Sequence, residues 1–186
     1  MLYLSKKPVV CVVYFLITSG LGAEKKACLE ALDIAYFLGG SAECLDTSFR
    51  GVLLLRTGLS LGDFYSGVAR YTLSYAKRVL PLVTEELFLR RWLLFNGYVR
   101  PRCNERGVRG ACSSLLDVLG KINSNARFVY HKSALNLHVE VIGFMKGFFI
   151  LPPKCDSLDS LYTSGALMRR CTEFVKREER LLGNPI

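Results

Sequence analysis

The sequence has no C-x-x-C pair, only two histidines and one tryptophan. A zinc site is built from close pairs of ligands, and neither His131 nor His138 has a cysteine partner at suitable spacing. Seven cysteines stand at 11, 28, 44, 103, 112, 155 and 171. An odd count without close pairs argues against a disulfide framework and predicts core thiols in a reduced, cytoplasmic chain. Phosphate-loop spacing is absent, and the Gly20-Leu21-Gly22 turn lacks the third glycine of a dinucleotide fingerprint. The N-terminal apolar run Val9–Ile17 follows Lys6 and Lys7 as a secretory signal would, but it is too short to span a bilayer. Its β-branched and aromatic residues suit a buried strand instead. Sparse carboxylates in the centre of the chain argue against a two-metal or glycosidase site. No cofactor, metal or membrane partner is therefore expected.

What is present is basic charge in one place. The chain carries +9 over 186 residues. Residues 1–75 contribute +1, residues 76–155 contribute +8, and residues 156–186 are neutral. A local excess of this kind marks a surface for a polyanion rather than a uniformly basic protein.

Hydrophobic periodicity divides the chain into modules. Val9–Thr18 reads as a strand, about 23–38 as a helix stopped by Gly39-Gly40, and Ala42–Asp46 and Gly51–Arg56 as two further strands. Ser60 opens a helix running to about Ala76, with Asp63 in the capping-box position. Arg78–Val83 is a strand whose Pro81 suits a sheet edge. The order strand–helix–strand–strand–helix–strand predicts a ferredoxin-like module over 1–83. Beyond it, Glu85–Phe95 reads as a helix and Tyr98–Cys103 as an edge strand. A helix capped by Ser113 or Ser114 runs to Ile122, and strands follow at Ala126–Tyr130, Leu135–Ile142 and Gly147–Leu151. This second α/β module covers 84–154, and 155–186 forms a tail that is helical around Ala166–Leu182.

The chemistry concentrates in the second module, in Arg100, Arg102, Arg106, Arg109, Lys121, Arg127, Lys132 and Lys146. Arg106-Gly-Val-Arg109-Gly leads into a helix start, where free backbone N–H groups and partial positive charge suit phosphate. Ser113 and Ser114 can cap that helix or donate to the same phosphate. Arginine binds phosphate oxygens through a planar fork, and Tyr98 and Tyr130 can stack on bases. The competing reading is a solvated basic face. His138 alternates with Leu137 and Val139 and reads as a structural histidine, while His131 lies in a loop. Cys112, beside a helix start, is a thiol without an identifiable base.

Three stretches of the first module carry a resemblance: Phe15-Leu-Ile-Thr-Ser-Gly-Leu-Gly-Ala-Glu-Lys-Lys-Ala-Cys28, Phe49–Thr57 and Arg78–Val83. With Arg106-Gly-Val-Arg-Gly-Ala-Cys-Ser-Ser114 and Leu135–Gly143, they resemble THUMP-domain proteins and their ferredoxin-like N-terminal module. Over residues 9–154 the likeness is to the stand-alone THUMP family that serves as tRNA-binding adaptor for the tRNA cytidine acetyltransferase. Asn123–Ser133 stands where many THUMP domains carry an acidic-then-proline turn. The resemblance implies an α/β (α+β) fold and a non-catalytic, cytoplasmic protein that binds tRNA. Such a protein promotes N4-acetylcytidine formation by an acetyltransferase acting in trans. It also puts Arg106, Arg109, Ser113 and Ser114 at the RNA surface, with Lys121 and Lys132 as neighbours. Two alternatives stand beside it: a THUMP subunit or fragment of a methyltransferase, thiouridine synthetase or deaminase, and a small enzyme using Cys112 or His131.

Overall fold

The computed structural model describes residues 13–183. Its first half comprises β1 (Val13–Ser19), α1 (Glu24–Phe37), β2 (Ala42–Asp46), β3 (Val52–Thr57), α2 (Leu61–Arg70) and β4 (Ala76–Leu82). The strands form an antiparallel sheet in the order β2-β3-β1-β4, the ferredoxin-like split arrangement. The predicted strand residues 9–12 lie outside the described residues. Helix α1 ends before Gly39, whose φ of 74° is the left-handed conformation of a glycine stop. Ser60 caps α2, its side chain accepting the Asp63 N–H at 3.0 Å. The helix stops six residues short of the predicted Ala76 because Tyr71 is extended. Beyond it, the Glu30 carboxylate on α1 binds the Ser74 and Tyr75 N–H groups at 3.0 Å each and draws that segment away from the helix axis.

The second half runs α3 (Glu85–Leu93), β5 (Gly97–Arg106), α4 (Ala111–Ile122), β6 (Ala126–Phe128), β7 (Leu135–Ile142), β8 (Met145–Leu151), α5 (Leu158–Thr163) and α6 (Gly165–Gly183). Its sheet has the order β6-β5-β7-β8, with β5 parallel to both neighbours. Strand β5 is longer than predicted and lies inside the sheet rather than at its edge. Pro101 is tolerated because β6 pairs only with Gly97–Val99. Val99 turns its carbonyl to that side, accepting from Val129 N, so the alternating backbone aims the missing Pro101 N–H at the open flank beyond β6.

Helices α3 and α4 cover one face of this sheet. Trp92 stacks on Phe128, Phe88 stacks on Phe148, and the Trp92 indole N–H donates to Leu119 O at 2.9 Å. A continuous buried cluster runs from Phe15 and Phe64 to Trp92, Phe148 and Val175. Helix α6 fastens the halves together. The Glu179 carboxylate accepts the Leu61 and Gly62 N–H groups at 2.6 and 2.9 Å, capping α2 from outside. Its neighbour Glu178 takes two bonds from Arg91 on α3, at 2.8 and 3.2 Å. Among the described residues, no helix is long and apolar enough to cross a membrane.

The cysteine expectation is corrected. Three disulfides join Cys28 to Cys44, Cys103 to Cys112, and Cys155 to Cys171. The first two pairs join a helix to a strand and the third joins α6 to the turn after β8, at sequence separations of 16, 9 and 16, so no short motif announces them. The seventh cysteine, Cys11, lies outside the described residues. Cys112 is a bridged sulfur, not a nucleophilic thiol.

Candidate nucleic-acid interface

Two-residue alternation assigns each side chain of β5 and β7 to a face. Val99, Cys103, Val139 and their neighbours point toward α3 and α4. The other face carries Tyr98, Arg100, Arg102, Asn104 and Arg106 on β5, in register with Arg127 on β6 and with Asn136, His138 and Glu140 on β7. Among the described residues no helix covers the β5–β6 part of that face, and Tyr98, Arg102 and Arg127 are exposed there. The polar row on β7 is buried. Asn136, His138 and Glu140 are 4%, 1% and 0% exposed.

Glu140 is the best-satisfied of the three. Its carboxylate accepts from Asn104 Nδ2 at 2.7 Å and from Arg106 Nη1 at 2.9 Å, and Arg78 of β4 stands 3.9 Å away. Arg78 also pairs with Asp156 at 2.8 Å. A buried carboxylate thus ties the second sheet to the first and holds one end of the Arg106 guanidinium.

Beside this network lies a cleft of about 710 Å³. Arg100, Arg102, Lys132 and Lys154 line it, and among the described residues none of them pairs with a carboxylate. Arg78 and Asp156 form its wall toward the first module. Asn136 and His138 also line it, and there Asn136 Oδ1 and both His138 ring nitrogens lack any hydrogen-bond partner. Burial holds the His138 imidazole down at about 4; Arg78 and Arg102 push the same way and Asp156 opposes them. At neutral pH this ring is uncharged.

The start of α4 is arranged differently from expectation. Its N-cap is Gly110, with φ 78°, rather than Ser113 or Ser114. Both serine hydroxyls donate back to Gly110 O, at 3.0 and 3.3 Å. The Glu105 carboxylate accepts from Gly110 N and Cys112 N at 3.0 Å each. Bonds from Cys112 first, then Gly110, hold its carboxyl below the ordinary range. Two of the backbone donors that sequence offered to a phosphate, Gly110 N and Cys112 N, are therefore held by the protein's own carboxylate. Arg109 projects from the exposed loop before α4, and Lys121 from its last turn. His131 is exposed, with Nδ1 2.6 Å from the Ser133 hydroxyl.

No family model matches the chain, and no curated protein matches it by sequence. Solved structures do match. The crystal structure of PH1313 from Pyrococcus horikoshii Ot3 superposes with a TM-score of 0.56 at 10% identity, over 74% of this chain and 54% of that one. The fold is THUMP-like. A 4-thiouridine synthetase, solved as an RNA complex with bound ATP, matches 75% of this chain and 41% of its own at 15% identity and TM-score 0.47. The chain spans about half the length of these solved proteins.

Within the THUMP-like fold, the sequence candidates separate into two groups. Arg100, Arg102 and Lys132 meet at the cleft, and Arg127 extends the same sheet face. Arg109, Ser113, Ser114 and Lys121 belong to the loop and helix of the other face, while Arg106 is engaged by Glu140. Sequence reasoning missed Arg78, Asn136, Lys154 and Asp156. It also read His138 as structural, without its unpaired nitrogens. One signal was available in the strand Leu135–Ile142: polar Asn, His and Glu recur at every second position, although the strand is buried on both faces.

Proposed function

We propose that this chain is a non-catalytic tRNA-binding adaptor that presents tRNA to a separate acetyltransferase for N4-acetylcytidine formation. The observation that carries the RNA part is the group of four cations without carboxylate partners, Arg100, Arg102, Lys132 and Lys154, around one cleft. Unpaired guanidinium and ammonium groups are what a phosphate backbone displaces counterions to reach. Tyr98, 57% exposed on the same sheet face, offers a ring for base stacking. The THUMP-like fold supports a role in tRNA modification, and the acetyltransferase partner comes from the resemblance quoted above.

The test has two arms. Neutralising about four phosphates gives a log-affinity against log-salt slope near −3 with the single-strand coefficient; a salt-insensitive interaction removes the RNA reading. Nucleoside mass spectrometry of tRNA from a strain lacking the gene addresses the partner. Loss of N4-acetylcytidine supports the adaptor. An intact level with loss of a different modified nucleoside points instead to a subunit of another tRNA-modifying enzyme.

A further inference from the structure

We infer that the cleft between β5, β7 and the 153–156 turn is a mononucleotide-binding site: phosphate on Arg100, Arg102 and Lys132, with the base edge on Asn136 and His138. Two independent features lead there. The rim is cationic and unpaired, which any anion would satisfy. The floor is different in kind, because Asn136 and His138 line the cleft, are at least nine-tenths buried and still carry polar atoms without a hydrogen-bond partner. Buried polar groups are ordinarily satisfied, so an orphan pair at the floor of an open cleft marks a place that a ligand completes. A neutral imidazole presents one donor and one acceptor, and Asn136 Oδ1 adds an acceptor. That set meets a planar amide-like edge rather than a second phosphate. At about 710 Å³ the cleft exceeds what an inorganic anion fills and falls within the ordinary size of small-ligand pockets.

The nucleotide can be one unit of a bound RNA, or a free nucleotide. The inference rests on the proposed function only for the first of these sources. Calorimetric titration of the full chain with AMP, GMP, CMP, UMP, ribose 5-phosphate and inorganic phosphate tests it. At least one nucleotide should bind about tenfold or more tightly than ribose 5-phosphate, the least expected from one well-placed pair of base-edge hydrogen bonds. Asn136→Leu and His138→Leu should each bring that nucleotide to the affinity of ribose 5-phosphate while leaving inorganic phosphate unchanged. His138→Leu should also melt at a higher temperature, which separates lost recognition from lost folding. Equal binding of all four nucleotides and ribose 5-phosphate overturns the inference, as does absence of nucleotide binding. Displacement of the nucleotide by tRNA assigns it to RNA, and joint binding assigns it to a free nucleotide; both support the site. Binding of tRNA without any mononucleotide binding overturns this inference and leaves the proposed function standing. Nucleotide binding without tRNA binding does the reverse.

Discussion

Strands β3 and β7 are both central to their sheets and both buried, yet they bury different chemistry. In β3, Val52, Leu53, Leu54 and Leu55 are all apolar and at most 7% exposed. In β7, Asn136, His138 and Glu140 alternate with Leu137, Val139 and Val141 at comparable burial. Burying apolar residues on both faces stabilises a sheet through transfer free energy alone. Burying a polar residue costs free energy unless it is partnered. Glu140 meets that requirement with Arg106 and Asn104, while Asn136 and His138 do not. The first module therefore serves as a packed support, and the second keeps two unpartnered polar side chains, Asn136 and His138, beside a cationic cleft. Net charge follows the same division, +3 over residues 1–83 and +6 over residues 84–154.

This comparison can be broken at several points. The largest expected effect is common to both modules. Reducing the three disulfides should cost about 6–9 kcal/mol in the loop-closure account, read as a fall in denaturation midpoint with reductant. Alkylation before and after reduction should show six cysteines reactive only afterwards. Next comes Glu140→Ala, which strips Arg106 and Asn104 of their acceptor. Its cost should be about 3 kcal/mol, the low end for a broken buried pair, because a partly exposed Arg106 can rehydrate. Charge reversal follows. Arg100→Glu with Arg102→Glu should weaken tRNA binding about a hundredfold, equivalent to about 2.7 kcal/mol, and flatten the salt slope. The same reversal at Arg56 and Arg70 in the first module should leave binding unchanged, and equal losses would erase the contrast.

The smallest effect is the most diagnostic. His138→Leu should stabilise the chain by about 1 kcal/mol, since it removes unpaired buried polar atoms and keeps an apolar volume. The pH dependence has a definite sign. His138 lies at about 4 when folded, against an ordinary value of 6.5, so the unfolded chain binds the extra proton between those limits. Folding is unaffected by this group above pH 6.5 and loses stability as pH falls toward 4. Relative to the wild type, His138→Leu should show a shallower loss across that window in urea unfolding.

Much of the architecture was legible because local rules and tertiary packing agreed. The Gly39 stop, the Ser60 cap, the alternation of strands and helices in the first module and the strands β7 and β8 all follow from residues within one element or its flanks. The disulfides were not legible. Cys28 and Cys44 become neighbours only when α1 packs on β2, and Cys103 and Cys112 only when α4 packs on β5. Cys155 meets Cys171 only when α6 packs on the 153–156 turn, and the seventh cysteine hid the even set. The Glu105 carboxylate at the start of α4 was hidden for a related reason. Glu105 belongs to the preceding strand, and only the bend at Gly107–Gly110 returns its carboxylate to the Gly110 and Cys112 N–H groups. The cleft draws on Arg78, Arg100, His138 and Lys154, residues far apart in the chain. Sequence could locate the charge, but the sheet register decides which charges share a face.

Photochemical cross-linking of bound tRNA, mapped to peptides by mass spectrometry, tests the central claim most directly. Cross-links should fall in the β5 segment around Tyr98–Arg102, near Lys132, and at the 153–154 turn. Cross-links confined to the first module, or to the arginines of α6, would contradict the assignment of RNA to the helix-free face of the second sheet.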